Sequence, residues 1–280
     1  MSLLSLFLCL LPLSSAENLA AGPQPAGLQP AGPVPLKSVL VFSKTSGFRH
    51  GSIEPGQSAI RALGKKHGFA VAVTEDSSEF TETNLRQYQV IIFLNSTQDL
   101  LDGNQQKGFE GYLRSGGGYV GIHAASDAEY DWPFYEHVVG AYFVDHPHIQ
   151  TAKINVTDHS HPATSFLPKV WERTDEWFNY HRVPKHVQVL AWLDTDSYEG
   201  SKMPGKHPAI WCHHVDLGRA LYTAGGHTDA SFSEPLFLQH LGGAIHWAAG
   251  HDDWKAPKSE DKPLKKTPLP EKIEKSGDSR

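Results

Sequence analysis

Three short runs of this chain are apolar without alternation: Val39-Leu40-Val41-Phe42, Val90-Ile91-Ile92-Phe93-Leu94 and Tyr119-Val120-Gly121-Ile122. A strand with one wet face alternates polar and apolar residues, so a run with no polar position requires cover on both faces. Phe69 to Val73 reads as another such strand. Stretches with helical spacing separate the runs. Ile53, Ile60 and Leu63 give an apolar face to a helix over 53–67, which Gly68 stops. Asp102 opens a second helix, whose Phe109, Tyr112 and Leu113 face the sheet and which breaks at Gly116 to Gly118. Strand, helix, strand and helix in succession imply right-handed crossovers and a parallel sheet. The fold class expected is α/β, a flavodoxin-like, doubly wound, mostly parallel sheet with helices on both faces.

Later strands are shorter, at 150–156, 187–193, 208–213 and 219–224, and the last two form a hairpin through Val215-Asp216-Leu217-Gly218. A short helix is expected over 131–139, a loop over 140–148, and a closing helix over 234–249.

The third apolar run stops abruptly at His123-Ala124-Ala125-Ser126-Asp127. Small residues at Gly121, Ala124 and Ala125 allow close backbone approach, so the turn would present His123 at the carboxyl end of a strand. In open α/β sheets ligands bind at that edge. The turn has the shape of a nucleophile elbow with an imidazole where Ser or Cys would sit, and equally that of a core histidine satisfied by backbone.

The ends differ in composition. Residues 1–16 are apolar, too few to span a bilayer, and close on Ser14-Ser15-Ala16, which reads as a secretory signal peptide cleaved after Ala16. The expectation is a secreted or otherwise extracytoplasmic protein. Residues 17–36 are a Pro/Gly-rich linker, 37–250 the domain, and 251–280 a charged tail poor in large apolar residues. Removal of the leader takes Cys9 with it and leaves Cys212, set in an apolar strand, so no intramolecular disulfide is expected. Of the sequons, Asn95-Ser96-Thr97 ends a buried run, which leaves Asn155 as the acceptor in a eukaryotic host. A net charge of −6 gives no basic footprint for nucleic acid, and no later stretch is apolar for long enough to span a membrane.

The 17 histidines are the compositional oddity. Several polar residues fall in loops expected at one sheet edge: His50 after the first strand, His123, His146 and His148, Asp175 and Glu176, and His227. Imidazoles and a carboxylate meeting in one pocket can bind a divalent metal, or can act as an acid and a base; the spacing does not choose. Pro147 favours an extended His146-Pro147-His148, which would put both rings on one side and makes them the candidate metal pair. Trp171, Trp177, Phe178 and Tyr180 fit either a ring-stacking platform or core. No phosphate-binding glycine motif is present, which argues against a dinucleotide or NTP cofactor.

Taken together, Phe48-Arg49-His50, the run Gly116 to Ala125, Gly140-Ala141-Tyr142-Phe143, His161-Pro162, Asp175-Glu176, and Pro208-Ala209-Ile210-Trp211 through Gly225-Gly226-His227 resemble the trehalose-utilisation, ThuA-like family. The resemblance spans about Lys37 to Gly250. It implies a fold like that of class I glutamine amidotransferases and a sugar or keto-sugar substrate. True amidotransferases have a pattern like Gly-Ile-Cys-x-Gly at the elbow, whereas this chain has Gly121-Ile122-His123-Ala124-Ala125, so glutamine hydrolysis through a cysteinyl intermediate is excluded there. His50, His123, Glu176 and His227 are the expected catalytic groups. Arg49, Asp175 and Trp177 are the expected substrate contacts. A non-catalytic carbohydrate-binding domain and a purely structural domain are the alternatives.

Overall fold

The computed structural model describes residues 34–203 and 205–256. The segment read as a signal peptide, nearly all of the linker and most of the tail lie outside the described residues. No described helix is long and apolar enough to cross a membrane.

The chain runs β1 (Ser38–Phe42), α1 (Ile53–His67), β2 (Ala70–Thr74), α2 (Glu82–Leu85), β3 (Val90–Leu94), α3 (Gly103–Arg114), β4 (Gly118–Ile122) and α4 (Pro133–Val139). It continues through β5 (Phe143–Asp145), β6 (Gln150–Val156), β7 (Val170–Asp175), β8 (Asn179–Tyr180), β9 (Gln188–Leu193), β10 (His207–Val215), β11 (Gly218–Thr223) and α5 (Pro235–Ala248). The central sheet has the order β2-β1-β3-β4-β11-β10-β9-β6-β7. From β2 to β11 neighbouring strands are parallel. Beyond β11 each pair is antiparallel. Direction therefore alternates from β10 outward, and β7, at the rim, runs the same way as β1.

Successive residues of the central strands point to opposite faces and both faces are buried. Val39, Val41, Val90, Ile92, Val120 and Ile122 pack with Ile60 and Leu63 of α1 and with Phe237, Leu241 and Ile245 of α5. Leu40, Phe42, Ile91, Phe93 and Tyr119 pack with Phe109, Tyr112 and Leu113 of α3 and with Tyr135 and Val138 of α4. This is why the runs carry no polar positions, and it is the doubly wound arrangement expected.

Helix boundaries follow local chemistry. The α1 helix ends where Gly68 turns left-handed at φ 83°. Asp102 caps α3 through Asn104 N and Gln105 N, and Gln105 returns a bond to the Asp102 backbone. The hairpin turns at Asp216 and Leu217, with Val215 opposite Gly218. Two features depart from expectation. The 140–148 segment is not all loop, because Phe143–Asp145 forms β5 and pairs with β8 in a separate two-stranded sheet. Strand β7 is the second, absent from the expected elements, and its buried side chains are Trp171, Arg173 and Asp175.

Candidate functional site

Strands β1, β4, β7 and β11 all run the same way, so the loops after them leave at one edge of the sheet. Those loops carry His50, His123, Glu176 and His227. One ligand atom from each of the four lies within 4.8 Å of every other. His50, His123 and Glu176 are buried and His227 is half-buried. His123 holds the elbow expected of it, with a left-handed φ of 49° immediately after β4.

The proton on one ring of the cluster is fixed by the backbone. His123 Nδ1 lies 2.9 Å from the Ala224 carbonyl, which only accepts, so Nδ1 carries the hydrogen. In the neutral ring Nε2 is then a bare lone pair. It faces His227 Nδ1 at 3.2 Å and Glu176 Oε2 at 3.4 Å. His227 Nδ1 also stands 3.0 Å from Glu176 Oε2. His50 Nδ1 is buried and has no hydrogen-bond partner. Burial works against ionising Glu176, but hydrogen bonds and charge from the His123 and His227 rings in their protonated form outweigh it and bring the carboxyl down to about 2. Burial and the neighbouring His123 and His227 rings bring His50 down to about 3.

Three ring pairs give the cluster its shape. His50 and His123 have centroids 5.1 Å apart at 86°, His50 and His227 5.0 Å at 84°, and His123 and His227 5.1 Å at 77°. Three imidazoles that each give a nitrogen at roughly 2.0–2.1 Å to one ion with tetrahedral angles have centroids about 5 Å apart. The residues therefore fit a divalent ion. Three nitrogens and one carboxylate suit zinc and other first-row divalent metals, and the bond from His123 to Ala224 supplies the outer contact that fixes a ligating tautomer.

Two side chains that touch no ligand position hold the loops together. Asp175, fully buried, accepts from Glu176 N and His227 N at Oδ1, both at 3.0 Å. Its Oδ2 accepts from Gly226 N at 2.8 Å and Ser231 Oγ at 2.9 Å, and lies 3.2 Å from the Arg173 guanidinium. The loop must pass close to this pair, and a Cβ on Gly225 would stand 2.0 Å from an Arg173 nitrogen. Asn95, at the end of β3, donates to Ser52 Oγ and Gly226 O and accepts from Ala124 N. One amide thus spaces the loops that carry His50, His123 and His227. Its only sequence signal is an Asn closing a buried strand at the carboxyl edge, inside the Asn95-Ser96-Thr97 sequon.

Other expected site residues lie elsewhere. His146 is outside the group of four, but its Nδ1 is 3.0 Å from Glu176 Oε1, and its ring is exposed at the mouth. His148 is exposed and does not join it, so the His146–His148 pair does not form a two-ring site. Arg49 pairs with Glu54 and Glu75 on the surface. Asp175 has its acceptors taken by the chain itself, which leaves none for a sugar. Trp177 is fully buried in the core and donates to the Gln150 carbonyl, so it offers no stacking face. Its neighbour Phe178 is the aromatic at the site, packed 4.0 Å from the His123 ring and 5.9 Å from that of His146. Cys212 is buried in β10 with its thiol pushed up to about 12 by burial, and does not supply the nucleophile missing at the elbow.

No curated protein matches the chain. Among solved structures, it is similar to a ThuA-like protein from Bacteroides uniformis, with 24% identity over 80% of this chain and 95% of that one and a TM-score of 0.67. A ThuA-like protein from Parabacteroides merdae gives 21% identity, 80% and 94% coverage, and the same TM-score of 0.67. A β-galactosidase from Bacillus circulans sp. alkalophilus shares the fold over 31% of its own length and 76% of this chain, at 15% identity and a TM-score of 0.53. The family model described as ThuA, trehalose utilisation, matches residues 38–248, and the chain belongs to that family.

Proposed function

We propose that His50, His123, Glu176 and His227 hold one divalent ion, and that the site acts on an oxidised sugar of the trehalose type. The observation that carries this is the cluster itself: three perpendicular imidazoles and a carboxylate, with His123 fixed as a donor to backbone so that its free lone pair faces inward. The ion would supply a Lewis acid for a carbonyl oxygen. The family's description points to disaccharide use, and a keto-sugar presents the carbonyl such a site polarises.

The chain's own part is to bind and to move a proton. His146 is the imidazole at the mouth that is not needed as a ligand, and Glu176 orients it through Nδ1. In proton abstraction beside a carbonyl, the C–H proton passes to an imidazole nitrogen and its electron pair moves to the carbonyl oxygen as an enolate. Phe178 and Phe143 pack against the His146 ring and limit its orientations. The reading of residues 1–16 as a signal peptide supports action outside the cytoplasm.

The test is turnover of a keto-disaccharide beside its parent disaccharide. His123→Ala is expected to lose activity together with metal. His146→Ala is expected to keep metal and lose on the order of 10²-fold or more in rate, the usual worth of a positioned acid or base. Unchanged turnover by both variants overturns the assignment of the reaction to this site. Saccharide binding with no turnover by the wild type favours the non-catalytic carbohydrate-binding domain instead.

A further inference from the structure

A second group of histidines lies at the opposite, amino edge of the sheet. There a cavity of about 370 Å³ is lined by Leu36, His67, His246, His251, Asp253 and Trp254, among others. His67 ends α1, His246 stands in the last turn of α5, and His251 follows that helix. The His67 and His246 rings have centroids 5.6 Å apart at 80°, and His246 and His251 repeat that geometry at 5.6 Å and 80°. Trp254 stacks on His246 at 5.2 Å and 16°.

Two facts point to a ligand. Nε2 of His246 and Nε2 of His251 are both buried without a hydrogen-bond partner. Buried polar atoms nearly always have partners, so two adjacent orphans of the same chemistry call for a shared one. Two helix C-termini also converge here, and the negative ends of their dipoles favour positive charge. Imidazole nitrogens with a negative helix-end field and the Asp253 carboxylate on the same cavity describe a cation of the kind that prefers nitrogen ligands.

We propose that His246 and His251 anchor a second divalent transition-metal ion, with His67 or Asp253 completing its shell. Among the described residues only the carboxyl-edge group already brings three or more such donors within 4.8 Å, so the third ligand here closes by side-chain rotation. The ion would act as a clamp, holding the end of α5 to the segment that follows it and, where His67 is the third ligand, to the end of α1. It would have no part in the chemistry at the other edge.

The test is equilibrium dialysis of the full chain against Zn²⁺ with elemental analysis. Wild type should bind two equivalents. His251→Gln, at a half-exposed position beyond the helix end, should bind one and keep the carboxyl-edge site. His123→Ala should also bind one, and the double variant none. In a companion melt, Zn²⁺ should raise the Tm of His123→Ala by a few degrees and leave the double variant unmoved. Retention of both equivalents by His251→Gln overturns the proposal, as does a wild type whose single equivalent is removed by His123→Ala. If His123→Ala does not fold, the comparison of His251→Gln with wild type decides alone: loss of one equivalent supports the second site and no loss overturns it.

Discussion

Asp175→Ala is expected to lower domain stability by roughly 3–5 kcal/mol, the usual cost of removing one partner from a buried ion pair. Arg173, almost fully buried, would keep Glu234 at 2.9 Å but lose Asp175. Gly226 N, His227 N and Ser231 Oγ would lose their acceptor at once. For a domain of this size the loss corresponds to a fall of about 10 °C in Tm. The functional effect should be as large. The same carboxylate holds the backbone of Glu176 and of His227, so its removal frees two of the four donor residues together. Outer contacts of this kind are typically worth about 10–100-fold in metal affinity. Thermal unfolding and metal titration of the one variant check both parts. Wild-type melting with wild-type metal affinity would show that Asp175 does not hold the loops.

Acid should unfold the protein in a window above the range of ordinary carboxylate titration. Burial brings His161, His207, His213 and His240 down to about 4 each, from an ordinary value of 6.5. Burial is the cause. The carbonyls of Phe178, Ala163 and His137, which His207 Nε2, His240 Nδ1 and His213 Nε2 face, favour the protonated rings and offset only part of it. In the unfolded chain these rings take up protons as pH falls through 6.5, whereas in the fold they stay neutral until about pH 4. The depressed values therefore contribute stability that is complete above pH 6.5 and is lost progressively down to about pH 4. A displacement of this size is worth on the order of 3 kcal/mol per ring. Four such rings together match the whole stability of a typical domain, about 5–15 kcal/mol. Urea unfolding at pH 7.5, 6 and 5 should show the midpoint falling steadily with little change in slope. A midpoint constant from pH 7.5 to 5 would mean that these rings titrate alike in both states.

Those elements that bury apolar surface were legible in the sequence. The runs at β1, β3 and β4 have no polar positions because both faces are covered, and α1 could be bounded by its apolar spacing and by Gly68. Strand β7 was not legible, since its inward positions read Trp171, Arg173, Asp175 and the alternation of a half-buried strand is hidden when an ion pair replaces the hydrophobes. Strands β5 and β8 are three and two residues long, too short for periodicity to register. At the site, residue type and loop position sufficed to name His50, His123, Glu176 and His227 as one group. They did not separate Trp177 from Phe178, because adjacent residues on extended chain face opposite ways and nothing local says which side is core. Nor did they show that Asp175 and Asn95 serve the backbone, since that depends on where three distant loops cross.

Elemental analysis of the purified full-length protein, beside His123→Ala and His148→Ala prepared identically, bears most directly on the histidine cluster. Because the amino-edge site can also carry metal, the quantity read is the difference between preparations. The expected result is one equivalent less in His123→Ala than in wild type, with His148→Ala equal to wild type, since His148 lies outside the group of four. Equal metal content in wild type and His123→Ala, or none in either, would contradict a metal centre at His50, His123, Glu176 and His227.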